Sequence, residues 1–361
     1  WMDVDLSQLQ RNIQRIKRPL DANVRLMAIV KADAYGHGAV PVSKTALKAG
    51  AGMLGVAWVS EALELRQAGI TVPLLVLSEP PTDEAIPVMV EQALTVTVYS
   101  PEFIQKLAAA AQAHNHEVDV HLKIDTGMGR VGVGLVDAEA ILTLIAGHRP
   151  WLNLTGLYTH FACADDPHSS TTADQLRCFE QVLQLSCLRP QRSEILIHAA
   201  NSAATRNFPA SHFDMVRVGL DLYENVLSFK TRVTLVKAVP AAQPLSYGAT
   251  FITPRATHIA TLSAGYADGV DRLLSNRGRV LIAGRSFPIV GRITMDMLLV
   301  DVGSDLTGIE RGVEAVLIGR SGDQHISTQE IADECGTIPY EIMCGIGKRV
   351  PRIYAVYSAR D

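Results

Sequence analysis

The sequence predicts a (β/α)8 TIM-type barrel over residues 1–228, followed by a mostly β domain over residues 229–361. Up to about residue 220, short runs rich in Val, Ile and Leu alternate with segments in which apolar residues recur every three or four positions. Beyond that point strand-like runs follow one another closely. A chain of 361 residues is also long enough for a large barrel and a second domain. An open, doubly wound sheet is the weaker alternative for the first part.

Eight strand candidates lie in the first part. In chain order they are VRLMAIVK, MLGVAW, LLVLS, LTVTVYS, EVDVHLKID, LNLTGLYTHF, EILIHAA and MVRVGL. Strands that are buried on both faces have this continuous apolar character. Segments between them, such as SEALELRQAG and PEFIQKLAAAAQAH, have helical spacing. Eight strands with helices between them favour a closed barrel.

The second part reads as closely spaced strands. These are FKTRVTLVKAV, THIATLSA, RVLIAG, SFPIVGRI, MLLVDVG and EAVLIG. Only STQEIADECG is predicted to be a helix there.

Composition excludes several classes of function. A formal net charge of −4 argues against a nucleic-acid or anionic membrane surface. No apolar run reaches the ~18 to 20 residues that a membrane span requires, and the first residues lack the apolar core of a signal peptide. The five cysteines are odd in number and have no CxxC spacing, which is typical of reduced thiols. We therefore expect a cytoplasmic protein without a metal site.

Polar residues cluster at the predicted carboxyl ends of the barrel strands, where barrel enzymes place their chemistry. They are Lys31, Tyr35, Lys123, Asp125, Arg130, His160, His198, Asn201, Ser202, Arg217 and Gly219. A single strand-end lysine or histidine is more often a rim charge or a core residue. Their joint placement at one mouth predicts a functional site.

Lys31 ends an apolar run in AIVKADAYGHG. Desolvation there would lower the pKa of its amine and make the amine nucleophilic, as a Schiff base with a carbonyl compound requires. A pair between Lys31 and the nearby Asp33 carboxylate is the structural alternative.

A phosphate seat is predicted after the seventh and eighth strands. Asn201 and Ser202 in HAANSAATRNF offer polar groups at a helix start, although both are also ordinary N-cap residues. Gly219 in VRVGL lets a backbone approach a phosphate closely, and Arg217 lies two residues before it. A nucleophilic lysine together with a phosphate seat suggests pyridoxal phosphate.

The chain resembles the alanine racemases, which are fold-type III pyridoxal-phosphate enzymes, over almost its whole length. Besides AIVKADAYGHG, the matching segments are HLKIDTGMGRVG, LYTHFACADD, HAANSAAT, MVRVGLDLY, LSAGYADGVDR, PIVGRITMDM and TIPYEIMCGIGKRVPRIY. The resemblance implies that Lys31 holds the cofactor and acts as acid and base on one face of the substrate Cα. Tyr266 would act on the opposite face, assisted by His160. Arg217 would meet the pyridine nitrogen and keep it unprotonated, because a guanidinium cannot accept a proton.

The resemblance also implies the remaining contacts. Arg130 would hold the substrate carboxylate and Lys123, when carbamylated, would support it, while Met295 and Asp296 would complete the substrate end. The cofactor would further contact Tyr35, His160, Asn201, Ser202, Gly219 and Leu220. Tyr266, Met295 and Asp296 would come from the other subunit of a homodimer. The product D-alanine would supply peptidoglycan.

Two positions depart from the family pattern. Glu224 stands where glycine is usual, and Lys348 stands where many members have a phosphate-binding tyrosine. A serine racemase or one of broader specificity therefore stays an alternative. A non-catalytic pyridoxal-phosphate carrier would not need Tyr266, and a decarboxylase of the same fold would place an acidic residue where Arg217 stands.

Overall fold

The computed structural model describes residues 1–166 and 168–355 of the chain. These residues form two compact units that are interleaved along the sequence. The larger unit comprises Leu9–Ala34 and Ala39–Leu222, and we call it the barrel unit. The other comprises Trp1–Gln8, Tyr35–Gly38 and the residues from Tyr223 onward, and we call it the second unit.

The strands and helices follow the chain in this order. The strands are β1 Met2–Asp5, β2 Arg25–Ile29, β3 Met53–Val56, β4 Leu74–Val76, β5 Thr95–Val98, β6 Val118–Lys123, β7 Leu152–Tyr158, β8 Leu196–His198, β9 Met215–Val218, β10 Leu227–Val239, β11 Pro244–Leu245, β12 Phe251–Ile252, β13 Thr257–Leu262, β14 Arg279–Ile282, β15 Arg285–Pro288, β16 Leu298–Gly303, β17 Glu314–Ser321, β18 Gln324–Ile326 and β19 Arg352–Ala355. The right-handed α-helices are α1 Leu6–Lys17, α2 Ala39–Lys48, α3 Val59–Gln67, α4 Ile86–Glu91, α5 Pro101–Ala113, α6 Ala138–Gly147, α7 Thr171–Leu183, α8 Ser202–Asn207, α9 Thr328–Cys335 and α10 Pro339–Gly345.

Strands β2 to β9 form a parallel sheet that closes on itself. Their order is β8-β7-β6-β5-β4-β3-β2-β9, so each strand lies beside its neighbours in sequence and β9 returns to β2. Between β8 and β9 the amide of Asp214 donates to the carbonyl of Ile197 at 3.0 Å, and the amide of Arg217 donates to that of Ala200 at 2.9 Å. The predicted (β/α)8 barrel is confirmed.

The apolar runs of the sequence are explained by burial on both faces of the barrel strands. Every residue of β3, β4, β5 and β9 is buried. Parallel sheets covered by helices need such continuous apolar strands, since neither face meets water. All eight strand candidates of the first part correspond to barrel strands.

The second unit is mostly β, as expected. Its nine-stranded sheet has the central order β15-β14-β17-β10-β1-β19. Strand β13 also pairs with β10, β16 pairs with β13, and β18 pairs with β17. The expectation of a single helix here was wrong, because α10 follows α9. Helix α10 has seven residues and Pro339 in its first turn, which is too short for a helical apolar period to be recognised.

Strands β1 and β19 were not foreseen from the sequence. Each has four residues, and β1 pairs with β10 on one side and with β19 on the other. The pairing joins the first residues of the chain to its distant end, which a local pattern cannot reveal. Within the described residues, no helix has both the length and the apolar character needed to cross a membrane.

Candidate active site

The chain after β2 makes a left-handed turn directly beyond Lys31. Residues Ala32, Asp33, Ala34 and Tyr35 all have φ between 52° and 53°. A left-handed conformation costs a residue with a Cβ about 1–2 kcal/mol, so four in succession cost roughly 4–8 kcal/mol. Strain of this kind persists only where surrounding contacts over-determine the backbone, and it is concentrated at functional sites.

Two carboxylates hold this turn. Oε1 of Glu61, in the first turn of α3, accepts from the amide of Ala32 at 2.6 Å. Oδ1 of Asp33 accepts from the amide of Ala39 at 2.6 Å and so tethers the turn to the start of α2. The Asp33 carboxylate, considered from sequence as a partner of Lys31, is therefore engaged with the backbone of α2.

Arg217, on β9, is a buried cation surrounded by neutral acceptors. Its side chain donates from Nη2 to the carbonyls of Thr159 at 2.7 Å and Ala199 at 3.0 Å. Nη2 also contacts Nδ1 of His160 and Nη1 contacts Nδ1 of His198, both at 3.2 Å. Burial lowers the pKa of Arg217 to about 10, so the guanidinium remains charged at neutral pH.

The guanidinium fixes the proton positions of these histidines. Because arginine only donates, His160 and His198 accept at Nδ1 and carry their protons on Nε2. His198 then donates from Nε2 to Nδ1 of His121 at 3.0 Å. The His121 ring occupies the space that any side chain at position 156 would fill, which explains Gly156 on β7.

All three histidines stay neutral near pH 7. Burial, together with the Arg217 charge, lowers the pKa of His121 to about 3 and those of His160 and His198 well below their usual value. For His160 the charges of Lys123, Arg130 and Lys31 add to this effect. The site is therefore electropositive and poor in competing proton donors with ordinary imidazole pKa values.

Lys123, at the end of β6, is an amine with 5 % of its surface exposed. Burial, followed by the charges of Arg130 and Arg217, lowers its pKa to about 8. The charge of Lys31 acts in the same direction on Lys123 and on His160, so its amine lies within electrostatic range of both. Lys31 itself is half-buried.

Asp125 organises the loop that carries Arg130. Its carboxylate accepts from the amides of Gly127 at 3.0 Å and Gly129 at 3.0 and 3.1 Å. Both glycines have positive φ, which the tight loop requires. Arg130, the next residue, is exposed at the end of this loop.

The predicted phosphate seat is brought together after β8 and β9. The amide of Gly219 donates to Oγ of Ser202 at 3.0 Å. Asn201 caps α8, because its Oδ1 accepts from the amide of Ala204 at 2.9 Å. Leu220 begins a short 3₁₀ turn next to Gly219. Asn201 therefore acts as an N-cap, which the sequence also allowed. Ser202 and Gly219 are in direct contact.

Tyr35 is described with the second unit. Its ring is buried and packs on the rings of Tyr223 and Tyr340, with centroid separations of 4.9 and 5.5 Å. Burial raises the pKa of its phenol above the usual value. In the same unit, a Cβ at Gly36 would lie 2.6 Å from the carbonyl oxygen of Met343, so this position accepts only glycine.

Tyr266, Met295 and Asp296 lie together at one edge of the second unit. Tyr266 begins a 3₁₀ turn, and its amide donates to the carbonyl of Thr294 at 3.0 Å. The amide of the next residue donates to the carbonyl of Met295 at the same distance. Tyr266 and Met295 are 45 % and 52 % exposed.

Arg349 links the two segments of this edge. Its Nε donates to Asp268 and its Nη2 to Asp296, each at 2.7 Å. These contacts raise the pKa of the guanidinium. The other carboxylate oxygen of Asp268 accepts from the amide of Gly265 at 2.9 Å, which fixes the residue before Tyr266.

Sequence reasoning missed Glu61, His121 and Arg349. Glu61 lies three residues beyond Trp58, so the Ser/Thr-x-x-Glu pattern that signals a capping box is absent. His121 lies inside an apolar strand, where a single histidine is more often a core residue, so nothing in the sequence distinguishes it. Arg349 lies in a segment that was quoted for its resemblance, and only the folded chain shows that it reaches Asp296.

Comparison with known proteins gives consistent matches over almost the whole chain. The family model for "Alanine racemase, N-terminal domain" matches residues 4–225, and that for "Alanine racemase, C-terminal domain" matches residues 226–354. A curated relative, "Alanine racemase 1" of Oceanobacillus iheyensis, is 41 % identical over 98 % of this chain and 97 % of its own length.

Solved structures match equally well. The alanine racemase of a D-cycloserine-producing Streptomyces lavendulae has a TM-score of 0.92 at 36 % identity, over 99 % of this chain and 97 % of that one. The alanine racemase of Bartonella henselae, solved with covalently bound pyridoxal phosphate, has a TM-score of 0.87 at 27 % identity, over 98 % of this chain and 99 % of that one.

Proposed function

We propose that this chain, which belongs to the alanine racemase family, interconverts L- and D-alanine with pyridoxal phosphate as its cofactor. The observation that carries the proposal is Arg217, a buried cation among neutral acceptors at the carboxyl ends of the barrel strands. Burying a charge without a counter-ion is costly, and a structural core gains nothing from it. A ligand acceptor at the same place would offset that cost.

The donor set of Arg217 fits the ring nitrogen of pyridoxal phosphate. Among the described residues, four acceptors lie within hydrogen-bond distance of Nη1 or Nη2, and no acceptor is bound by the Nε–H group. A guanidinium donates to a neutral pyridine nitrogen and does not protonate it. When bound, the cofactor withdraws electrons from the substrate Cα and so acidifies its C–H bond, less strongly if that nitrogen is unprotonated.

The phosphate would be held by hydroxyl and backbone donors. Ser202 accepts from the amide of Gly219 and keeps its own O–H to donate. The Leu220 amide, the Tyr35 hydroxyl and the start of α8 beside Asn201 would complete the seat, and the Gly219 amide would exchange Ser202 for a phosphate oxygen when the cofactor binds. Lys31, which directly precedes the strained turn after β2, would carry the cofactor.

Arg130 would bind the substrate carboxylate through its planar fork of N–H donors. The nearby Lys123 amine is suited to carbamylation, since burial and surrounding cations lower its pKa. In that reaction the neutral amine attacks the carbon of CO2 and forms an N–C bond. The electron pair of one C–O π bond moves onto its oxygen, which gives the carboxylate, and the nitrogen releases one proton to solvent. The product would be an anion beside Arg130, orienting it.

Racemisation needs a proton acceptor and a proton donor on opposite faces of the Cα. Lys31 would serve one face and Tyr266 of the partner subunit the other, with Met295 and Asp296 of the partner subunit closing the substrate end. His160, which carries its proton on Nε2, would donate to the tyrosine oxygen. The active site would thus be shared within a homodimer.

Apolar exposure supports this assembly. Ile252, Leu273 and Met297 of the second unit are each about half exposed or more, in addition to Tyr266 and Met295. Tyr266, Met295 and Met297 lie on segments joined by backbone hydrogen bonds, and a contiguous exposed apolar patch is typical of an interface. We expect enzyme diluted below its dimer dissociation constant to lose racemase activity.

The cellular role proposed is supply of D-alanine for peptidoglycan from the cytoplasm. A source strain depleted of the enzyme would then need D-alanine in its medium and would lyse without it.

The decisive experiment incubates the pure protein with pyridoxal phosphate and L-alanine in D2O. Loss of the Cα-proton NMR signal together with formation of D-alanine is expected, and Lys31→Ala is expected to show neither. Absence of both from the wild-type protein would overturn the proposal. A parallel reaction with L-serine measures how strictly alanine is preferred.

A further inference from the structure

We propose that Glu61 is a positioning residue for Lys31, a role that rests on the proposed function. Glu61 lies at the start of α3, 29 positions along the chain from Ala32. Its carboxylate nevertheless binds the peptide group that directly follows Lys31. The structure thus joins the strand that carries the lysine to the next βα connection through one side chain.

The two oxygens of Glu61 have different partners. Oε2 accepts from the amides of Ala57 at 2.7 Å and Trp58 at 3.1 Å, which directly precede its own helix. Oε1 accepts from the amide of Ala32 at 2.6 Å. A helix cap needs only the first pair of contacts. The contact with Ala32 therefore has a purpose beyond capping α3.

That purpose follows from the left-handed turn. The peptide between Lys31 and Ala32 is the point at which the chain leaves the strand and enters four strained residues. Inside the turn the amide of Ala34 donates to the carbonyl of Val30 at 2.8 Å, and Asp33 ties the far end to α2. The Glu61 contact fixes the near end, and with it the direction in which the Lys31 side chain leaves the backbone.

Glu61→Gln tests this with almost no change in shape. The amide has one acceptor oxygen, so it cannot serve both Ala32 and the amides of Ala57 and Trp58. We expect Glu61→Gln to form the pyridoxal-phosphate adduct on residue 31 about ten- to a hundredfold more slowly than the wild-type protein. The adduct is trapped with borohydride and measured by peptide mass. This slowing is of the size expected for loss of a hydrogen bond to a charged group. kcat should fall by a similar factor, and the KM for alanine should change less than threefold.

Two variants at Glu64, an exposed residue one turn further along α3, are matched controls. Glu64→Gln removes the same charge, and Glu64→Gly weakens the same helix. Both should form the adduct at the wild-type rate, although Glu64→Gly lowers Tm. If Glu61→Gln lowers Tm as Glu64→Gly does but forms the adduct at the wild-type rate, and Glu61→Asp also forms it at that rate, Glu61 is only a cap and the proposal is wrong.

Glu61→Asp covers the case in which Glu61→Gln does not fold. The shorter side chain keeps its charge next to the start of α3 but no longer reaches Ala32, so slow adduct formation with a near-normal Tm is expected. A wild-type rate in this variant would overturn the proposal. If the wild-type protein itself forms no adduct on Lys31, the proposed function fails, and this role fails with it.

Discussion

Lys31 and Tyr266, the two residues proposed to move protons, are held in opposite ways. Lys31 is half-buried, follows a buried strand, and enters a turn that carboxylates hold through backbone hydrogen bonds. Tyr266 is 45 % exposed, and its turn is held by the carbonyl of Thr294 and by carboxylates that pair with the exposed Arg349. Lys31 is thus partly withdrawn from water, whereas Tyr266 is open to it.

This difference indicates which region is complete within a single chain. The barrel end has its cation, its neutral histidines and its strained turn already in place, so folding alone prepares it. The edge with Tyr266 and Met295 exposes apolar and reactive groups that a second protein surface would cover. We infer that assembly, and not folding, completes the second half of the proposed site.

Of the variants that test this comparison, Tyr266→Phe should reduce racemase activity the most. Loss of one acid–base group typically costs about 10²- to 10⁴-fold, and we expect racemisation to fall by that amount. Exchange of the Cα proton with D2O should continue for the enantiomer whose proton faces Lys31. NMR of each alanine enantiomer in D2O, with chiral analysis of the products, measures both rates.

Tyr247→Phe is the matched control, since Tyr247 is a tyrosine of the same unit that is 72 % exposed. It should racemise alanine at the wild-type rate. Full racemase activity in Tyr266→Phe would show that Tyr266 is not an acid–base group of the reaction. The argument that a partner subunit must supply this residue would then fail as well.

The barrel end can be tested through the pH dependence of stability. The pKa of Lys123 falls from 10.5 in the unfolded chain to about 8 in the folded one. Between these values the unfolded state binds more protons, so the free energy of unfolding rises with pH there. Lys123→Met removes that rise and should be more stable than wild type below pH 8, by up to about 3 kcal/mol.

Chemical denaturation of both proteins in CO2-free buffer from pH 7 to 11 measures the difference. Lys44→Met, at an exposed lysine, should keep the wild-type slope. Parallel curves for wild type and Lys123→Met would mean that Lys123 is well solvated and that the barrel end is not dry. Addition of ¹³C-bicarbonate to the wild-type protein should give a carbamate NMR signal that the Lys123→Met variant lacks.

Much of the barrel end was predictable because its signals are local. Apolar runs marked each strand, and a parallel barrel brings the residues at the strand ends, such as Arg217 and His160, to one face. The family matches confirm the resemblance that the motifs indicated. The fold class follows from the same repeated pattern.

The contacts that hold these residues were not predictable from the sequence. Glu61 meets Ala32, and Arg349 meets Asp296, only because distant segments are adjacent in the fold. The four left-handed residues after Lys31 include three, Ala32, Ala34 and Tyr35, whose types do not favour that conformation. Local propensity is overridden there by tertiary contacts, as expected at a functional site.

The smallest effect is expected at Arg349, which joins the Tyr266 turn to Asp296. Arg349 is exposed, so solvent weakens each ion pair, and Arg349→Met should raise the KM for alanine only roughly threefold to tenfold with little change in kcat. Added salt should also raise the KM of the wild-type enzyme for alanine, because salt screens exposed ion pairs. Steady-state kinetics at low and high ionic strength measure both effects, with Arg311→Met, at another exposed arginine, as the unaffected control. A hundredfold loss of kcat in Arg349→Met would show that this edge is as preorganised as the barrel end, and the contrast between the two regions would then be wrong.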